Sequence, residues 1–404
     1  MLRFFSRLTK QLMDKLTAGS RARRYAYALA TTALVAASVV AAGTADASTT
    51  SAGQSSSFAR RVDSSACLVD AADRHGCPPS RAVAVAFSDT LNKATANGVT
   101  VGGLSGLTVD RRSGGFASIE DHSLSDPARV FFIKNSSKPV ITGALTLHKA
   151  DGTPFDVTNF DGEGIAVLPN GNFLISSEVE PSIRIFDRTG TEVGSLEIPA
   201  RFQVAPKGQA TENAALEGLS ISPSGEFVYA AMEGTLSGDL PATGEGRHRR
   251  ILVYRSDHHG GFRLVKQIGY DVDAGNRISE VTAYADGKLL VLEIQFVPGK
   301  GNVAVKIYAV AGADSAPDVS GVANLSTVPA TNIVPKEFLA DLVTGPTLGA
   351  SSPQPQVNPL MDNYEAMSVT KKYHSRLATV TLLSDDNFNA TQVTRMLTLI
   401  AVLP

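Results

Sequence analysis

Short apolar runs separated by turn residues recur along the chain from about Val83 to its end. One unit can be written out in full. Ile165–Leu168, a turn at Asn170-Gly171, Phe173–Ser176, Ile183–Phe186, a turn at Arg188–Gly190 and Val193–Ile198 make four strands in succession. Runs of this length, broken by Asn-Gly or Ser-Gly, read as antiparallel hairpins. The same order returns in Leu219–Ile221, Phe227–Ala230 and Ile251–Tyr254. It returns again in Leu289–Leu292 with Val303–Tyr308, and in Ala378–Leu383 with Met396–Val402. Each unit opens on a variant of one phrase: Leu-Ser-Gly-Leu at Leu104–Leu107, Gly-Glu-Gly-Ile at Gly162–Ile165, Leu-Glu-Gly-Leu at Leu216–Leu219, Ile-Ser-Glu-Val at Ile278–Val281 and Tyr-Glu-Ala-Met at Tyr364–Met367. Self-similarity of this kind signals a repeat architecture, and four antiparallel strands per unit is the blade of a β-propeller. The reading is an all-β propeller of five four-stranded blades, with six as the alternative.

The last unit runs out of chain after three strands. Ala82–Phe87, upstream of the first unit, is the natural fourth, so the ring is expected to close by pairing the chain's two ends, which removes exposed edges. The propeller domain then spans residues 82–404. Residues 311–362, rich in Pro, Ala, Ser and Thr, read as an insertion between the fourth and fifth units and as a functional rim loop.

Composition changes the picture mainly at the N-terminus. Arg21–Arg24, an apolar run over Tyr25–Ala42 and the small-residue site Ala45-Asp46-Ala47 predict a secretory signal peptide over residues 1–47, with an uncleaved anchor as the alternative. Arg23-Arg24 leaves Sec and twin-arginine export both open. Residues 48–81 read as a linker and a small loop holding Cys67 and Cys77, the chain's two cysteines. In an exported protein they are expected to form a disulfide; a redox or metal pair is the alternative. The predicted product is secreted, with no membrane segment after signal cleavage. A formal net charge of −2 offers no footprint for nucleic acid. Oligomeric state is not legible.

Aligning the units puts Ser105, Glu163, Glu217, Ser279 and Glu365 in one slot, with Glu280 competing for the fourth place. First strands of a propeller line its channel, so these side chains are expected to face one another. Carboxylates gathered without a cation raise one another's pKa, and an all-oxygen set suits calcium; glutamates that merely hydrate the channel are the alternative. A second acidic layer ends the second strands: Glu120 with Asp121, Glu178, Glu233, Glu293, and Asp385 with Asp386. Third strands open on Arg129, Arg184, Arg250, Lys306 and Arg395. An acidic ring able to hold metal beside a basic ring suits a small phosphorylated substrate; salt bridging between blades is the alternative. No nucleophile elbow occurs, and His122 is the one histidine close to the acidic layer.

Taken as a set, Val101–Leu107, Glu163-Gly-Ile, Ile175–Glu178, Glu217–Gly225, Ala230–Glu233, Ile278–Glu280, Leu290–Glu293 and Ser384–Asn389 resemble the phytase-like family, also called esterase-like activity of phytase. More distantly, the Ser, Glu, Glu, Ser, Glu order is similar to the calcium-activated nucleotidases. The resemblance implies an exported propeller that hydrolyses a phosphoester. Calcium would be held by Ser105, Glu163, Glu217, Ser279 and Glu365. On the chemical argument above, Glu178, Glu233, Glu293, Asp385 and Asp386 are the catalytic candidates and Arg184, Arg250, Lys306 and Arg395 the phosphate-binding ones. Two departures stand out: Ile294 where the family commonly has Arg, and Ala366 where it has Gly. The first leaves room for a second function, a non-catalytic calcium-stabilised propeller that binds an extracellular or cell-wall ligand.

Overall fold

A computed structural model describes residues 81–96, 98–121, 127–371 and 376–404. The signal segment, the linker up to residue 80, Cys67, Cys77 and His122 lie outside the described residues. Strand β1 (Ala82–Ser88) is followed by a small hairpin, β2 (Thr95–Ala96) and β3 (Val99–Thr100). Five four-stranded antiparallel sheets then account for the rest. The first blade is β4 (Leu104–Asp110), β5 (Gly115–Glu120), β6 (Arg129–Lys134) and β7 (Val140–Thr146). The second is β8 (Gly162–Val167), β9 (Phe173–Ser177), β10 (Ser182–Phe186) and β11 (Glu192–Leu196). The third is β12 (Leu216–Ile221), β13 (Phe227–Met232), β14 (His248–Ser256) and β15 (Phe262–Asp271). The fourth is β16 (Arg277–Ala285), β17 (Lys288–Val297), β18 (Gly301–Ala311) and β19 (Lys336–Asp341). The fifth is β20 (Tyr364–Lys371), β21 (Leu377–Ser384) and β22 (Met396–Val402), completed by β1. The closure is antiparallel, running from Ala82 opposite Ala401 to Ser88 opposite Met396.

The stretch 311–362 supplies β19, the outer strand of the fourth blade, and three single-turn 3-10 segments. Its Lys-Glu-Phe-Leu-Ala-Asp carries too short an apolar run to stand out in sequence. The hairpin turns follow the expected chemistry: Gly171 and Gly225 sit at φ 91° and 79°, the left-handed region that glycine enters without strain.

Each pair of neighbouring blades buries its own apolar cluster, giving five in all. Phe131 lies between the fifth and first blades, Phe173 between the first and second, and Tyr254 between the second and third, all three fully buried. Burying an aromatic or large aliphatic side chain contributes about 1.5–3 kcal/mol, so the ring is held by seams between sheets rather than by one central core. The axis stays free for polar groups. Among the described residues no helix is long and apolar enough to cross a membrane.

Candidate functional site

The inner strands β4, β8, β12, β16 and β20 each carry a β-bulge at the same place, and the bulged residues are those of the repeated phrase. Register shifts fall between Leu104 and Gly106, Gly162 and Ile165, Leu216 and Leu219, Ile278 and Glu280, and Tyr364 and Ala366. A bulge re-aims side chains. Here it brings three rows of residues to one end of the channel. Gly103, Asp161, Ala215 and Asn363 immediately precede the first paired residues of their strands, and Arg277 is itself the first paired residue of β16. Ser105, Glu163, Glu217, Ser279 and Glu365 sit in the bulge. Asp121, Glu178, Glu233 and Asp385 follow the ends of the matching second-strand pairs, and Ile294 takes the corresponding place within β17, opposite Arg277.

The result is a cavity of about 640 Å³, lined among the described residues by Asp121, Asp161, Glu163, Glu178, Glu217, Glu233 and Glu365 with one basic residue, Arg277. Oxygen atoms of Asp121, Asp161 and Glu163 lie within 4.8 Å of one another, as do those of Glu163, Glu178 and Glu217. Glu163 is common to both triads, and Ser105 Oγ donates to its Oε2 at 2.7 Å. Arg277, on the fourth blade, donates to Glu365 Oε1 at 2.6 Å, to Glu217 Oε1 at 3.3 Å, to Asn363 Oδ1 at 3.2 Å and to Glu233.

Burial and mutual repulsion dominate the electrostatics. Burial, then Asp161 and Asp385, pushes Asp121 well above the usual carboxylate range. Burial, then Asp121 and Glu217, does the same to Glu163. Glu178 is pushed up to about 8 by burial and the charge of Glu233, although the Ala215 amide donates to it. Glu217 is raised by burial, Glu233 and Glu178 against the opposing pull of Arg277. Burial alone would lower the Arg277 guanidinium, but Glu233, Glu365 and Glu217 outweigh it and raise its pKa. Asp385, fully buried and raised by burial and Glu365, has an Oδ2 with no hydrogen-bond partner among the described residues.

A hard cation fits this donor set. Ligand oxygens at about 2.3–2.6 Å from calcium stand no more than about 5 Å apart, and both triads meet that limit. All the donors are oxygen, which favours calcium over zinc. Asp121, Asp161 and Glu163 would hold the ion, with Glu178 and Glu217 as further donors.

Of the slot residues, Ser105, Glu163, Glu217 and Glu365 gather here. Ser279 occupies the same bulge, but its hydroxyl donates to the Tyr364 carbonyl at 3.0 Å. Glu280 lies one row further along the axis and accepts from the amides of Leu219 at 3.1 Å and Val281 at 2.8 Å. Of the second layer, Glu178 and Glu233 line the cavity and Asp385 lies behind Glu365. Asp386 accepts from Lys93 and, at 3.2 Å each, from the amides of Gly103 and Phe388. Glu293 stands one residue out of register. It accepts from the Tyr270 hydroxyl at 2.6 Å and the Asp273 amide at 2.8 Å, in the seam between the third and fourth blades.

None of the third-strand bases lines the cavity. Arg250 is fully buried and grips Asp239 through two bonds of 2.6 and 2.8 Å. Arg395 grips Asp89 at 2.7 and 2.9 Å. Lys306 donates to Asp273 at 2.8 Å. Arg184 donates to Ser182 at 2.8 Å and lies over the Phe155 ring. Arg129 pairs with Glu120 at 2.9 Å. Asp161, Arg277 and Asn363 are site residues that sequence reading missed. A uniform signal existed: each precedes its slot by two residues, outside the repeated phrase.

The family pattern described as "Phytase-like: Esterase-like activity of phytase" matches residues 99–388. No curated protein matches the chain. Among solved structures, the periplasmic gluconolactonase PpgL of Pseudomonas aeruginosa is 12% identical with a TM-score of 0.31, over 74% of this chain and 70% of that one. Virginiamycin B lyase of Staphylococcus aureus is 10% identical with a TM-score of 0.32, over 76% and 72%. The PQQ-bound aldose sugar dehydrogenase of Streptomyces coelicolor is 10% identical with a TM-score of 0.36, over 80% and 99%. At these scores no chemistry is carried over from them.

Proposed function

Because the chain belongs to the phytase-like family, we propose that it is a secreted, calcium-dependent phosphoester hydrolase acting in the acidic mouth of its channel. The observation that carries this reading is the pair of carboxylate triads sharing Glu163, one of which, through Glu217, meets the Arg277 guanidinium. Bound calcium would supply Lewis-acid charge to the phosphoryl group. Arg277 brings positive charge to the cavity, and a phosphoryl group would take over donors that its Nη1 and Nη2 now give to Glu217, Glu233, Asn363 and Glu365. Glu178, which lines the cavity, is the acid–base group, with Asp121, Asp161 and Glu163 left to hold the ion. It takes a proton from the attacking water and returns one to the alcohol oxygen as the phosphorus–oxygen bond to that alcohol breaks.

The test is phosphate release from phytate, a nucleoside diphosphate and a chromogenic aryl phosphoester, with calcium and with chelator. Calcium-dependent turnover on any of them supports the reading. A second reading, a calcium-stabilised binding module, draws on Ile294, which puts a fully buried apolar side chain in the fourth blade's place in the acidic row. No release from any substrate, with chelator still lowering thermal stability, would favour it.

A further inference from the structure

The rim of the same cavity differs in kind from its floor. Besides its carboxylates and Arg277, the described lining is uncharged and includes Asn213, Phe296, Asn387, Phe388, Asn389 and Gln392. Two of these are phenylalanines in a cavity otherwise lined by charged and polar groups. Phe296 stands near the end of β17, where the register shifts between Gln295 and Phe296, and it is 47% exposed.

Phe388 is held by several independent devices. Its backbone sits at φ 50°, and that of Asn387 at 44°. A bulky residue in the left-handed region is strained, and such strain persists where the surroundings impose it. The Asn387 amide donates to Asp385 Oδ1 at 2.8 Å, and the Phe388 amide to Asp386 Oδ1 at 3.2 Å. Lys93 straps the loop by donating to Asp386 and to the Asn389 carbonyl. Beneath the ring lie Gly102 and Gly103. A Cβ on Gly102 would come within 2.8 Å of Phe388 Cε1, and one on Gly103 within 2.9 Å of Cε2. The ring therefore rests on bare backbone, and the residue lines the cavity above it.

We infer that Phe388 and Phe296 form a specificity subsite for a flat aromatic or heteroaromatic ring in the alcohol half of the substrate. This rests on the phosphoester reading above and narrows it. A ring bound against these phenylalanines gains apolar and stacking contact, and Arg277 lines the same cavity for its phosphoryl group. The same lining disfavours a polyphosphorylated polyol. Such a molecule brings further phosphates to the rim, where the described lining offers amides and phenyl rings, and the nearby Lys93 is already engaged by Asp386 and the Asn389 carbonyl.

The experiment is calorimetric binding of phenylphosphonate and methylphosphonate to the full chain in calcium, for the wild type, Phe388→Ala and Phe296→Ala. Phenylphosphonate should bind the wild type at least tenfold more tightly than methylphosphonate, and each substitution should shrink that ratio several-fold. Phe388→Leu, which keeps apolar bulk without a flat face, should shrink it too and guards against a collapsed loop in the alanine variant. Equal wild-type affinities, or a ratio that survives all three substitutions, would overturn the subsite and leave the hydrolase reading standing. Binding of neither phosphonate would remove the hydrolase reading and the subsite together.

Discussion

Arg277 Nη2 donates to Glu365 Oε1 at 2.6 Å, while its Nη1 reaches Glu217 Oε1 at 3.3 Å. One side chain of the fourth blade thus joins the third and fifth across the channel mouth. Arg277→Met leaves Glu217, Glu233 and Glu365 without their guanidinium. Breaking a buried ion network from one side costs about 3–5 kcal/mol. Denaturant unfolding in chelator should show a loss of that order, with part of it regained on adding calcium. A variant as stable as the wild type in chelator would show that the carboxylates do not depend on Arg277.

Glu280 lies between the two cavities of the channel. Its row, Gly106, Gly164, Gly218, Glu280 and Ala366, lines neither the acidic cavity nor the cavity of about 920 Å³ at the opposite end. The glycines let inner strands approach closely: a Cβ on Gly164 would lie 2.4 Å from Leu219 Cβ. Glu280 satisfies the amides of Leu219 and Val281. Each amide left unpaired costs about 1–3 kcal/mol, so Glu280→Ala should lose several kcal/mol and Glu280→Gln, which keeps an acceptor, markedly less. Equal losses measured by denaturant unfolding would argue against this role.

The propeller was readable because apolar runs, Asn-Gly and Ser-Gly turns and the repeated phrase all have local causes. Even the closure by Ala82–Ser88 followed from counting strands. Strand β19 was not readable, since Lys336–Asp341 becomes a strand by pairing with β18 rather than by its own pattern. The slot glutamates were found because the bulge coincides with the phrase. Arg277 was not, because its importance comes from partners on other blades, far away in sequence. Their place at the start of third strands put Arg250 and Lys306 in an expected basic ring. The structure pairs them with Asp239 and Asp273, whose positions no repeat alignment links to them.

That pairing makes a separable prediction. Arg250→Met should lower stability by about 3–5 kcal/mol by leaving Asp239 buried without its partner. Activity per folded molecule should remain at permissive temperature. A raised KM with unaltered unfolding would instead place Arg250 at the substrate.

The stability of the metal-free protein should depend on pH. Glu178 rises from 4.5 to about 8 on folding, so its contribution is fully present below 4.5 and is lost as pH rises through 8. Asp121, Glu163 and Glu217 shift in the same direction. Thermal melts in chelator should therefore fall from mildly acidic to alkaline pH. Calcium should suppress the fall, because it binds the ionised carboxylates. A chelated protein that gains stability over this range would contradict the electrostatic account of the mouth.

The most direct measurement is the rate of phosphate release from an aryl phosphoester as free calcium is varied, for the wild type and Glu163→Gln. Glu163 belongs to both triads, so the wild type should show saturable calcium dependence and the variant should need at least about tenfold more calcium, roughly 1.4 kcal/mol of lost binding. Turnover that persists in chelator, or the same calcium dependence in both proteins, would contradict a catalytic calcium in the channel mouth.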